Sequence, residues 1–154
     1  MLTFRKAEAK DMMLYFEWVN EKLVRSQSYA TKSINLDEHK KWFFNKIKDQ
    51  NTTMLVFSNG VNKIGQIRIE KYSKKKAKIG ISVEKKHRGK KFAFKMIDIA
   101  SSYFLNNNTD FSLNAFIKES NKRSIRSFEK AGYNLFDSLT NKKIKSLHYI
   151  RKIK

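Results

Sequence analysis

Residues 77–97 read AKIGISVEKKHRGKKFAFKMI, a β-run ending at Val83 that is followed at Arg88 by a basic turn opening a helix. Ile79, Ile81 and Val83 alternate with Lys78, Gly80 and Ser82, the period of a strand with two chemically different faces. Phe92, Ala93, Met96, Ile97, Ala100 and Phe104 then recur at helical spacing. A strand therefore passes through the short loop Arg88-Gly89-Lys90-Lys91 into a long amphipathic helix. At the start of such a helix the first N–H groups lack partners and the dipole favours negative charge. With an arginine and lysines around those donors, the loop is a candidate phosphate site.

A second segment of legible design lies downstream. Phe111, Leu113, Ala115 and Ile117 fall on one face of a strand, with Ser112 and Asn114 on the other. Ser120 or Asn121 can cap the helix that follows, Ile125 and Phe128 point inward, and Gly132 can take the left-handed C′ position.

Arg88-Gly89-Lys90-Lys91-Phe92-Ala93 resembles the central motif of the GNAT superfamily of acyl-CoA-dependent N-acetyltransferases, Arg/Gln-x-x-Gly-x-Gly/Ala between a strand and a helix. Lys91 stands where that family usually has glycine. Asn121 to Tyr133 resembles the family's second signature, Asn-x-x-(Ala/Ser)-x-x-x-(Tyr/Phe)-x-Lys-x-Gly-(Phe/Tyr). Two motifs in the right order are more specific than either alone. The resemblance implies an α/β (α+β) fold with a mixed, mostly antiparallel central sheet covered by helices on both faces, and acetyl-CoA as cosubstrate without a metal. It places coenzyme contacts at Ile81, Ser82, Val83, Arg88, Gly89, Lys90, Lys91, Phe92, Ala93, Asn121, Ser124 and Phe128. The backbone N–H near Val83 is the expected catalytic donor to the thioester carbonyl. Phe128 occupies the position where the family commonly has a tyrosine that protonates the leaving thiolate, so the acid is expected from Tyr133, Tyr149 or water.

The remaining elements follow from periodicity. Leu2 to Lys6 reads as a first strand, and Met12, Phe16, Val19 and Leu23 share one face of a helix. A second helix starts near Asn35, with Asn35 as cap and Glu38 at the N3 position. Met54 to Ser58 and Lys63 to Glu70 form a hairpin around Asn59-Gly60, and the last strands are Tyr133 to Asp137 and about Leu147 to Ile153.

In the helical region, Trp18-Val19-Asn20, Val24-Arg25-Ser26 and His39 to Phe43 resemble the W-x-N…V-R…S…H-x-x-W-F pattern of bacterial GNAT enzymes acting on nucleotide-linked amino sugars, the pseudaminic-acid pathway type. That resemblance implies acceptor contacts at Asn20, Arg25, His39 and Trp42. Ordinary packing is the competing reading of Trp18, Trp42 and His39. Gln66, Arg68 and Glu70 share one face of their strand, opposite Ile67 and Ile69. Gln66 and Arg68 are therefore further acceptor candidates. Glu70, the one carboxylate on that face, is the candidate general base, with partial burial raising its pKa. The competing reading is a solvated Glu70 paired with a lysine.

Charge narrows the partners. Thirty-four basic residues against fourteen acidic ones give a formal charge of +20, a field that attracts anions. An anionic nucleotide-linked amino sugar suits that field, and a polyamine or aminoglycoside does not. A protein or peptide amine is an alternative acceptor, and a basic nucleic-acid-binding module is the competitor from another class. Sparse arginine and dispersed lysine argue against the latter. A homodimer is left open. The 154 residues, 40% hydrophobic, suit a single acetyltransferase domain over residues 1–154. The chain has no cysteine, which removes disulfides, thiolate catalysis and Cys-type zinc sites, and its three histidines are scattered. No apolar run approaches the roughly 18 residues of a membrane span and no signal peptide opens the chain, so the expected location is the cytoplasm.

Overall fold

A computed structural model describes residues 1–153. Its strands are β1 (Leu2–Lys6), β2 (Thr52–Asn59), β3 (Asn62–Ser73), β4 (Lys76–Val83), β5 (Ser112–Lys118), β6 (Asn134–Asn141) and β7 (Ile144–Lys152). The helices are α1 (Met12–Asn20), α2 (Lys22–Gln27), α3 (Leu36–Lys48), α4 (Phe92–Asn107) and α5 (Lys122–Lys130). The strands form one sheet in the order β1-β2-β3-β4-β5-β7-β6. Every neighbouring pair is antiparallel except β4 and β5, which run parallel over only Lys76↔Ser112, Ala77↔Leu113 and Lys78↔Asn114. The mixed, mostly antiparallel sheet expected from the sequence is therefore present.

Strand alternation decides what each face buries. Leu55, Phe57, Ile67, Ile69 and Ile79 point to one side, where α4 and α5 supply Met96, Ile97, Ala100, Phe104, Ile125 and Phe128. Met54 and Val56 point to the other, against Tyr15, Trp18 and Phe43 of α1 and α3. Helices thus cover both faces. The second face is open toward β5 and β6, where Phe116 and Phe136 are exposed.

Caps fall where the sequence puts them. The Asn35 side chain accepts from the N–H groups of Asp37 (2.8 Å) and Glu38 (3.4 Å), and that of Asn121 from Ser124 (3.3 Å). Gly132 takes a positive φ of 87° after α5. The single helix expected over Met12 to Leu23 is instead two. Glu21 leaves the helical region (φ −60°, ψ 136°) and its carboxylate accepts from the Val24 N–H at 3.1 Å, which starts α2. Three helices therefore precede the hairpin, and Leu23 belongs to the second. The last two strands also run longer than expected. Lys142 and Lys143 join them at φ 49° and 66°, the left-handed conformations that tight hairpins need. Lysine there gives no turn signal in the sequence.

Gly65 marks the closest approach within the sheet. A Cβ on it would stand 2.4 Å from the Ser82 carbonyl oxygen and 2.9 Å from Met96 Cε of α4. Gly65→Ala is expected to destabilise the chain by about 1–3 kcal/mol, read as a lower Tm. An unchanged Tm would show that β3, β4 and α4 have room to separate.

Candidate active site

The parallel ladder stops at Lys78 and Asn114. Asn114 is buried at that last rung. Its Nδ2 donates to the carbonyls of Ala77 (3.1 Å) and Ser112 (3.2 Å), and its Oδ1 lies 2.8 Å from His148 Nε2. Beyond it β4 and β5 diverge, and a cleft of about 530 Å³ opens between residues 79–83 and 115–118. Main-chain groups alternate sides along a strand. Ala77 offers its carbonyl to β5, whereas the Glu84 N–H bonds Ile64 on β3. Alternation then places the N–H and C=O groups of Ile79, Ile81 and Val83 toward the gap. Those of Ser82 face β3.

Both motif loops meet at this gap. The loop before α4 passes through Gly89 at φ 77° and Lys91 at φ 65°, the residue immediately preceding the helix. Lys91 sits in a conformation that favours glycine and that costs other residues about 1–2 kcal/mol. Of the expected coenzyme contacts, Ile81, Ser82, Val83, Arg88, Gly89, Lys91, Phe92, Ala93, Asn121, Ser124 and Phe128 line the cleft, and Lys90 does not.

Arg88 departs from its expected use as a ligand contact. Its Nε donates to the Val83 carbonyl at 3.0 Å and its two terminal nitrogens reach Glu21 at 3.3 and 2.9 Å. That hydrogen-bonded fork holds the Glu21 carboxyl below its usual range. Phe128 is also mostly covered, packing edge-on against Tyr133 at 5.0 Å between ring centroids.

None of the expected acceptor contacts lines the cleft. Asn20 pairs with the Ile34 main chain in both directions, at 2.9 and 2.7 Å. Arg25 donates to the Lys32 carbonyl and the Ser28 hydroxyl. His39 is buried against Phe16, Trp42 and Phe43, with Nε2 3.2 Å from the Met12 carbonyl, and burial lowers its pKa. The Trp42 ring carries the Arg68 guanidinium 4.8 Å from its centroid, and Gln66 donates to Ser82 Oγ at 3.0 Å. These side chains are taken up by loop, helix and strand partners.

Glu70 is corrected by its neighbours. Lys46 donates to it at 2.7 Å and Arg68 at 2.6 Å. Burial pushes its pKa up, but the Lys46 hydrogen bond and the Arg68 charge outweigh burial, so the carboxyl lies below its ordinary range. It is a fixed counter-ion outside the cleft, not a poised base. The alternative acids are elsewhere too. The Tyr133 hydroxyl is buried against Ser101 at 2.7 Å, and that of Tyr149 donates to Glu129 at 3.0 Å.

Other residues of the lining were missed. They are Leu23, Val24, Gln27, Ser28 and Tyr29 on and after α2, Phe116 and Lys118 on β5, and Arg123 and Ser127 on α5. The charged side chains of the lining are Arg88, Lys91, Lys118 and Arg123, with no carboxylate among them. A second cavity, about 590 Å³ between α4, α5 and β6, lies apart from both motif loops. No cluster that could hold a metal ion occurs among the described residues, and no helix among them is long and apolar enough to cross a membrane.

The sequence model described as an acetyltransferase (GNAT) domain matches residues 1–134. Solved structures share the fold. A crystal structure of aminoglycoside acetyltransferase AAC(6')-Ib in complex with coenzyme A superposes with a TM-score of 0.82 at 17% identity, over 99% of this chain and 95% of that one. The spermidine N-acetyltransferase from Vibrio cholerae in complex with CoA and spermine gives 0.86 at 19% identity, over 97% and 94%. A domain from Methanocaldococcus jannaschii gives 0.85 at 21% identity, over 99% of each chain. No curated protein matches the sequence.

The paired state of Glu70 has a pH signature. Its folded pKa is depressed, so its stabilisation is complete above the unfolded value near 4.5 and disappears as pH falls through the folded value. Glu70→Gln is expected to cost about 1–3 kcal/mol at neutral pH, with the difference from wild type shrinking in acid. Denaturant titrations at several pH values measure it. Wild-type stability combined with lost turnover would reinstate Glu70 as the base.

Proposed function

This chain belongs to the GNAT acetyltransferase family, and we propose that it transfers an acetyl group from acetyl-CoA to the amine of a small anionic acceptor, a nucleotide-linked amino sugar. The observation that carries the reading is the lining of the cleft between β4 and β5, with Arg88, Lys91, Lys118 and Arg123 and no carboxylate. The similar structures hold an aminoglycoside acetyltransferase and a spermidine N-acetyltransferase. Both names describe polycationic acceptors, which a cleft of this charge on a chain of +20 would repel.

The residues present suit the coenzyme. The N–H groups at the start of α4 and the side chains of Lys91 and Arg123 offer donors and charge to a diphosphate. Along the gap the Ile79 carbonyl, both main-chain groups of Ile81 and the Val83 N–H lie beyond the last rung of the ladder, where an amide-bearing arm can lie as a substitute strand. Acetyl-CoA supplies the acetyl group as a thioester. The Val83 N–H is the donor placed to stabilise charge on the thioester oxygen.

Proton handling follows from the same charges. An ammonium ion among cations has a lowered pKa, so the field of the cleft favours the neutral amine that attacks. As the nitrogen–carbonyl bond forms and the carbon–sulfur bond breaks, the nitrogen sheds one proton to water, so no carboxylate base is required at the site. The field also stabilises the negative charge of a departing thiolate, which lessens the demand for the tyrosine that Phe128 replaces.

Thermal shift and thiol release against UDP-, dTDP- and GDP-linked amino sugars, spermidine, an aminoglycoside and a lysine peptide decide the acceptor. Acetyl-CoA should raise Tm, and turnover should appear with a nucleotide-linked sugar. Turnover of spermidine or the aminoglycoside alone would overturn the anionic assignment. Lys91→Gly separates conformation from charge. It should stabilise the fold by about 1–2 kcal/mol while weakening coenzyme A binding several-fold. Stability and affinity moving in the same direction would deny Lys91 a part in phosphate attraction.

A further inference from the structure

Helix α2 buries none of its residues, yet Leu23, Val24 and Gln27, with Ser28 and Tyr29 after them, form one wall of the cleft. A fully buried aliphatic side chain contributes about 1.5–3 kcal/mol, and α2 has none. Six residues also fall far short of the length at which a helix is stable alone. Polar ties must therefore hold it in place. They lie at its two ends and go to opposite sides of the split sheet.

At the first end the Glu21 carboxylate accepts from the Val24 N–H at 3.1 Å and receives the Arg88 fork, while Arg88 Nε grips the Val83 carbonyl at the end of β4. At the second end Lys118 Nζ, at the end of β5, donates to the Ser26 carbonyl at 3.1 Å, and the Tyr29 hydroxyl bonds Ser146 Oγ on β7. The helix spans the gap between β4 and β5. Its two attachments are unequal. The Arg88 and Glu21 side chains are only 14% and 22% exposed and meet through two charge-assisted bonds. The Lys118 bond is exposed to solvent, so water competes for it, and Tyr29, whose hydroxyl reaches buried Ser146, adds a single neutral bond with no ion pair.

We propose that α2 is a strap across the acceptor side of the cleft, hinged at Glu21–Arg88 and latched at Lys118 and Tyr29, which opens at the latch end to admit the acceptor. Glu21 and Lys118 are positioning residues, acting through Arg88 and through Ser26. The function assigned to the strap rests on the reading of the cleft as the transfer site. The two-ended attachment does not.

Hydrogen–deuterium exchange of the full chain, read by mass spectrometry, tests it. Glu21→Gln keeps an oxygen for the Val24 N–H but loses the ion pair, and should speed exchange across residues 22–29 at least about tenfold, one 1.4 kcal/mol step in local opening. Lys118→Met keeps the aliphatic stem and should speed exchange over residues 26–35 while residues 22–25 stay protected. Lys118→Arg, which keeps donor and charge, should restore protection. In the Glu21→Gln and Arg88→Gln double variant, exchange should match either single one, because both remove the same tie. Calorimetry with coenzyme A runs alongside. A wild type that fails to bind it sinks the transferase reading, while the exchange pattern still decides the strap. Wild-type exchange in both single variants, or uniform loosening of the whole segment by Lys118→Met, would overturn the hinge and latch.

Discussion

The rung at which the parallel pairing of β4 and β5 ends sets the rest of the molecule. Three residue pairs hold these strands together, and buried Asn114 closes the last one by bonding the Ala77 and Ser112 carbonyls. Had the ladder continued, the Ile79 carbonyl, both main-chain groups of Ile81 and the Val83 N–H would be used up in the sheet. Because it stops, they are left over, and unpaired buried main-chain groups are costly unless water or a ligand reaches them. The cleft is where that requirement is met. Helices α4 and α5 start at its edge, so their free N–H groups face the same space.

Charge pairing elsewhere determines the sign of the cleft. The chain has few carboxylates, and the structure commits several of them to particular cations. Asp11 is held by Arg5 at 2.8 and 2.9 Å, Glu70 by Lys46 and Arg68, and Glu21 by Arg88. Each pair fixes one element on another. Asp11 secures the first turn to β1, Glu70 secures α3 to β3, and Glu21 secures α2 to the loop before α4. With the carboxylates so placed, Arg88 is the lining cation paired with one of them, and Lys91, Lys118 and Arg123 make no ion pair among the described residues. The field there is a consequence of where the anions went as much as of the cation count.

Much of this was legible in the sequence because it is local. Strand period, the caps at Asn35 and Asn121, the left-handed Gly132 and the order of the two motifs all depend on residues close in the chain. The part of the cleft formed by the two motifs is built from two continuous segments, so its residues were found together. The rest of the lining is not local. Whether Arg25, Trp42 or Arg68 faces a cavity depends on how α1, α2 and α3 settle on the sheet, and they settle with those side chains turned to structural partners. Lys118 and Tyr29 enter only because two strands diverge, a relation that no short-range pattern encodes. The break at Glu21 was hidden because its cap is an acid in a run that otherwise reads as helix.

The loss of Glu70 as a base and of a tyrosine at position 128 leaves a site without the usual proton-transfer pair, and the electrostatics make that intelligible. An amine that arrives protonated must lose two protons to become an amide and a neutral one must lose a single proton, which water can take, while an acid is called for when a thiolate leaves without stabilisation. Surrounding cations lessen both needs at once, since they disfavour the ammonium and favour the thiolate. A field that favours an anionic acceptor would therefore also adjust its reactive nitrogen. A carboxylate base added to this lining would work against that proposed use, because it would neutralise the charges that favour an anion and a free amine.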